Sequence, residues 1–171
     1  TLSLHDALPI WGQLWWGLTR GTDLTALAGE QAPFPVSSQM VALSMQNPRI
    51  AQKGMFNNAT GNADDGWKKL NFSDLTTAYE RGLAMQSQLS EINTDSTDLS
   101  ALRDRGAKVI SYHGLSDQLI MPQGSLNYFE RLAQRMGGSD KVQEFNRLFF
   151  IPGFGHTGSF NLTGSVGLNG T

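Results

Sequence analysis

The stretch "KVISYHGLSDQLIMPQGSLNYFERL", residues 108–132, packs a strand, a turn and a helix into one short run. Val109 to Tyr112 is a short apolar segment of the kind buried in a parallel sheet. It ends at His113-Gly114, and a carboxylate, Asp117, follows almost at once. Pro122-Gln123-Gly124 then opens a helix with Leu126, Phe129, Leu132 and Met136 on one face, closed by Gly137-Gly138. A second stretch, "FNRLFFIPGFGHTG" (145–158), repeats the plan, with a strand ending near Ile151 and His156 a few residues beyond. Strand, helix, strand with short loops is the arithmetic of an α/β domain. The crossover between the strands is expected to be right-handed, which makes them neighbours in the sheet.

Upstream, "FSDLTTAYERGLAMQSQLSEI" (72–92) predicts a helix from Leu75, Tyr79 and Leu83, with Ser73 as N-cap. "DSTDLSALRDRG" (95–106) predicts a short polar helix closed by Gly106. Residues 11–71 differ: rich in Gly, Trp, Asn, Gln and Pro, they show little periodicity. They offer one short helix in "SSQMVALSMQNP", with Ser37 or Ser38 as N-cap and Pro48 past its end, and a loop in "NNATGNADDG". Such a segment reads as an appendage covering something else. Two strands do not complete a sheet, so residues 72–171 read as the C-terminal part of a larger domain. "TLSLHDALPI" (1–10) resembles translated sequencing-adapter read-through and is expected to be non-native, which sets His5 aside.

Bulk composition narrows the function classes. The chain has 171 residues, 39% hydrophobic and 16% charged, with a net charge of −2, as expected of a globular chain and not of a disordered one. The charge balance offers no basic footprint for nucleic acid, and no apolar run reaches the roughly 20 residues of a membrane helix. With no cysteine there is no disulfide framework and no thiolate metal site. The N-x-[ST] sequons, at Asn58, Asn71, Asn161 and Asn169, are short enough to arise by chance.

Chemistry gathers beyond the carboxyl ends of strands in open α/β sheets, and this is where Asp117 and His156 stand. A carboxylate that accepts a hydrogen bond from one imidazole nitrogen fixes the tautomer and stabilises the charged ring. The other nitrogen is then free to take a proton from a hydroxyl nucleophile. Asp before His occupies the last two places of the order Ser, Asp, His found in α/β hydrolases. Each residue alone has an ordinary explanation: a turn-capping Asp, a solvated His in a Gly-rich loop. His113 reads as structural, bonding across its turn. No G-x-S-x-G occurs, and "GLSDQ" fails it at Gln118.

The motifs HG-x-x-D-x-L-I-x-P-Q-G (113–124) and P-G-x-G-H (152–156), with the run "LSEINTDSTDLSALRDRGAKVI" before them, resemble the C-terminal signature of the tannase and feruloyl esterase family. That group also includes an enzyme hydrolysing the mono-ester of terephthalate and ethylene glycol. The likeness covers about residues 71–158. It implies an α/β-hydrolase fold whose triad Ser lies upstream, with Asp117 and His156 as its acid and base. It implies that residues 11–71 are the end of an inserted lid. There Trp15, Trp16 and Phe34 are candidates to stack on a phenolic ring, and Arg20 to pair with a carboxylate or hydroxyl. Aromatics of this kind are more often the lid's own core. The resemblance also implies small aromatic ester substrates, no cofactor beyond calcium in an earlier part of the lid, no nucleic-acid or membrane partner, and a secreted or periplasmic location. Where many members carry a Cys after the catalytic His, this chain has Thr157, so the disulfide known in the family is not expected. Two other readings stay open: a degenerate domain that only binds aromatic ligands, and a different α/β hydrolase such as a peptidase.

Overall fold

The computed structural model describes residues 16–25, 27, 30–54 and 62–156. They fall into two compact units, one of residues 25–94 and one built from 16–24 with 95–156. The expectations for residues 1–10, Trp15, Asn58, Thr157, Asn161 and the Gly-rich tail lie outside the described residues.

The unit of residues 25–94 is helical. Helix α1, Pro35–Ser44, does not take Ser37 or Ser38 as its cap: Phe34 is the N-cap and Pro35 the first helical residue. Proline suits that place because its φ is preset and its missing N–H is one no helix satisfies. Ser38 is buried instead, its hydroxyl donating to the Pro35 carbonyl at 2.9 Å and accepting from the Gln52 amide at 3.1 Å. Helix α2, Phe72–Ala84, starts two residues earlier than an N-cap at Ser73 would have it, because Asn71 and Asp74 form a reciprocal cap. The Asn71 side chain accepts from the Asp74 amide at 3.1 Å, and the Asp74 carboxylate from the Asn71 amide at 2.9 Å. α1 and α2 pack together, so the compositional break near residue 71 falls inside this unit. Ala42, Ile50 and Ala51 form a small core, covered by Val41, Met45, Trp67 and Leu70.

The other unit holds the sheet. A short helix α3, Ser100–Asp104, ends before Gly106 at φ +73°, in the left-handed region that favours glycine. Strand β1, Val109–Gly114, runs two residues past Tyr112 and takes in His113. Helix α4, Pro122–Met136, follows and closes on Gly137 at φ +92°. A single-turn helix α5, Ser139–Gln143, which is too short to show a period, leads to strand β2, Asn146–Ile151. β1 and β2 are parallel neighbours, Tyr112 opposite Phe149 and Gly114 opposite Ile151. That is the expected βαβ arrangement, and it sets both strand ends at one edge.

The core of this unit is the inner face of α4 against α5. Leu132 and Val142 are fully buried, with Ala133, and Leu99, Tyr128, Phe129 and Met136 close around them. Leu126, expected on the same face, is exposed instead and sits beside Phe149 and Phe150 at an open cleft. It lies at the N-terminal end of the stripe, and Gln143 of α5 lines the same cleft. Segment 95–99 is tied down onto α4 by polar groups: Arg131 pairs with Asp95 at 2.9 Å, and the Tyr128 hydroxyl donates to the Ser96 carbonyl at 2.9 Å.

Candidate active site

Gly114 is the hinge on which the site is built. A Cβ there would collide with the carbonyl of Phe154, so only glycine lets the loop after β2 lie across the end of β1. Backbone bonds then fix that crossing: the Leu115 amide donates to the Ile151 carbonyl at 2.9 Å and the Ser116 amide to the Phe154 carbonyl at 3.1 Å. Gly153 turns the loop at φ +69°. The Gln118 side chain adds a third tie by accepting from the His156 amide at 3.2 Å. Together these bring residues 117 and 156 face to face.

Asp117 is buried, 6% exposed, and a buried carboxylate must be paid for in hydrogen bonds. Its Oδ1 accepts from the amides of Leu119 and Ile120, both at 2.9 Å. Its Oδ2 accepts from His113 Nε2 at 3.2 Å. The imidazole of His156 spans both oxygens, with Nδ1 at 3.2 Å from Oδ1 and 3.1 Å from Oδ2. Burial pushes the Asp117 carboxyl up, but the Ile120 and Leu119 amides and His156 outweigh it and hold it below the ordinary value of 3.8. The group is thus an anion at neutral pH. Both plain expectations hold at once: Asp117 caps its own turn and also faces His156.

His156 keeps 40% of its side chain in solvent. Facing a carboxylate, Nδ1 carries the ring proton, so the neutral ring presents a lone pair at Nε2. Nε2 has no hydrogen-bond partner among the described residues. With an ionised carboxylate behind it, a half-exposed imidazole is able to accept a proton from a hydroxyl brought to Nε2.

Trp16 is half-buried and Arg20 exposed in segment 16–24. That segment is tied to the first turn of α4 through Gln123 Nε2 and the Thr19 hydroxyl, 3.4 Å apart. Phe34 belongs to the unit of residues 25–94, as the cap of α1. Trp15 is outside the described residues. For the calcium implied by the family, no cluster of three or more His, Asp or Glu stands ready among the described residues. Asp64 and Asp65 of "NADDG" face Lys53 and Lys68 instead. No described helix is long and apolar enough to cross a membrane. Sequence reasoning missed the contacts of Gln118 and Ser125, whereas His113 bonds across its turn to Asp117 and Ile120 as expected. The i,i+4 spacing of His113 and Asp117 around a Gly turn was the available signal; nothing in the sequence flagged Gln118.

Residues 16–168 match the model of the family described as tannase and feruloyl esterase. A probable feruloyl esterase B of Emericella nidulans is 33% identical over 156 residues, covering 82% of this chain and 30% of that protein. A probable feruloyl esterase of Arthroderma benhamiae is 40% identical over 96 residues, 53% of this chain and 18% of that protein. The mono(2-hydroxyethyl) terephthalate hydrolase of Piscinibacter sakaiensis is 43% identical over 75 residues, 44% of this chain and 12% of that protein. The chain thus spans less than a third of the length of these relatives.

Proposed function

This chain belongs to the tannase and feruloyl esterase family, and we propose that it supplies the acid and the base of a serine esterase acting on carboxylic esters of small aromatic acids. The observation that carries the reading is the buried Asp117 carboxylate holding Nδ1 of His156 at 3.1–3.2 Å. In this scheme the nucleophilic Ser and the oxyanion donors come from an earlier part of the same polypeptide. His156 Nε2 takes the serine proton as the hydroxyl attacks the ester carbonyl, and Asp117 stabilises the imidazolium formed. His156 then returns the proton to the leaving alcohol, giving an acyl-enzyme. Water deprotonated by the same nitrogen releases the aromatic acid.

The segment carrying Trp16 and Arg20 is proposed as the end of the lid, where Trp16 stacks on the acyl ring and Arg20 meets its polar substituent, with Trp15 and Phe34 as further lid aromatics. By the same membership the enzyme is proposed to work outside the cytoplasm, with a small aromatic ester as its partner molecule.

The test is hydrolysis of methyl ferulate and methyl gallate against an aliphatic methyl ester. The full-length polypeptide should cut the aromatic esters preferentially, and lose that activity on His156→Ala. The 171-residue chain alone should be inactive. Hydrolysis by the isolated chain that survived His156→Ala would refute these roles.

A further inference from the structure

Asp117 is held from two sides by imidazoles, and only one of them is used above. His113 sits at the end of β1 with 11% of its side chain exposed. Its Nε2 faces two acceptors, Asp117 Oδ2 at 3.2 Å and the Ile120 carbonyl at 3.1 Å. A nitrogen between two acceptors is a donor, so the ring proton is on Nε2. Nδ1 is 2.7 Å from the Ser125 hydroxyl in the first turns of α4, and as the bare nitrogen of the neutral ring it accepts the serine hydrogen. Ser125 is thereby committed to His113 and does not face His156.

We propose that His113, locked by Ser125, is a positioning residue for the acid–base pair: it holds Oδ2 of Asp117 and so fixes the plane of the carboxylate toward His156. The two amides fix Oδ1 alone, and a carboxylate pinned at one oxygen can still swing about that point. The His113 bond to Oδ2 removes the swing. A single ring N–H does this with one hydrogen bond to one oxygen, leaving the other face of the carboxylate to His156. The Ser125–His113–Asp117–His156 chain also links the first turns of α4 to the loop after β2, so β1, α4 and that loop all bear on one carboxylate.

The inference rests on the acid–base reading above, and one set of variants in the full-length polypeptide separates the two. His113→Leu removes the donor at similar bulk and is expected to lower kcat for an aromatic ester about ten- to a hundredfold with KM unchanged, the signature of misplaced catalytic groups. His113→Gln returns an N–H to the place of Nε2 and is expected to restore kcat to within a few-fold. A purely structural role would make Gln as poor as Leu, or move KM with kcat. Loss of kcat on His156→Ala but none on His113→Leu would overturn this inference alone. Full kcat in His156→Ala would overturn the acid–base reading and this inference with it. Should His113→Leu fail to fold, long-range 1H–15N correlation on the wild-type chain decides. The His113 proton is expected on Nε2, and finding it on Nδ1 would overturn the assignment.

Discussion

At the scale of single residues, the account turns on how a carboxylate stays charged where little water reaches it. Asp117 does so because each of its oxygens meets N–H donors, two of them the backbone amides of Leu119 and Ile120. Its lowered pKa carries a sign for stability. A carboxylate more acidic in the folded than in the unfolded chain stabilises the fold above the unfolded value, near 3.8, and loses that contribution as pH falls through its lower folded value. Wild-type chain is therefore expected to be more stable than Asp117→Asn at neutral pH, with the gap closing below about pH 3.8. Urea denaturation of both proteins across that range measures it. A gap that stayed constant into strong acid would mean that Asp117 is not ionised in the fold.

At the scale of elements, the site depends on the close crossing of β1 by the loop after β2, and the crossing depends on Gly114. Gly114→Ala is expected to cost about 1–3 kcal/mol, the usual range for overpacking. It should also pull His156 off Asp117, since the Phe154 carbonyl is backbone and has nowhere to turn. Gly17→Ala, where an added Cβ meets nothing within 4 Å, is the control and should be silent. Equal thermal stability of the two variants would contradict this reading of the crossing. Elements also show what the sequence could reveal. The strands, α4 and the Asp117–His156 pair were legible because apolar runs, a helical stripe and Gly-rich strand ends leave strong local signals. The caps were misread because Pro35 and Asn71 compete with nearby serines that cap equally well in isolation, and only the fold chooses among them. Helix α5 was too short to leave a period. The Gln118 tie and the double hold on Asp117 are long-range hydrogen bonds, which no local pattern encodes.

At the scale of the whole molecule, the sheet is small for the apolar surface it bears. Ile110 and Tyr112 of β1 are 74% and 65% exposed, and Phe149 of β2 is 50% exposed opposite Tyr112. Two strands are rarely stable without a hydrophobic face covered on at least one side, and among the described residues α4 packs on β1 and α5 on β2. The 171-residue chain is therefore expected to bind an apolar dye such as ANS in its native state, and Tyr112→Lys to reduce that signal with helix content unchanged by circular dichroism. Unaltered dye binding in Tyr112→Lys would place the apolar surface elsewhere. The same surface suits the expectation that residues 72–171 are part of a larger domain.

Whether Asp117 and His156 work as one acid–base pair is read from kcat of Asp117→Asn in the full-length polypeptide, with methyl ferulate as substrate. An amide in place of the carboxylate keeps the shape but turns the imidazole to the wrong tautomer. The account predicts a fall of about four orders of magnitude in kcat with KM little changed. A variant within tenfold of wild type would show that the buried pair, however well formed, is not where the ester is cut.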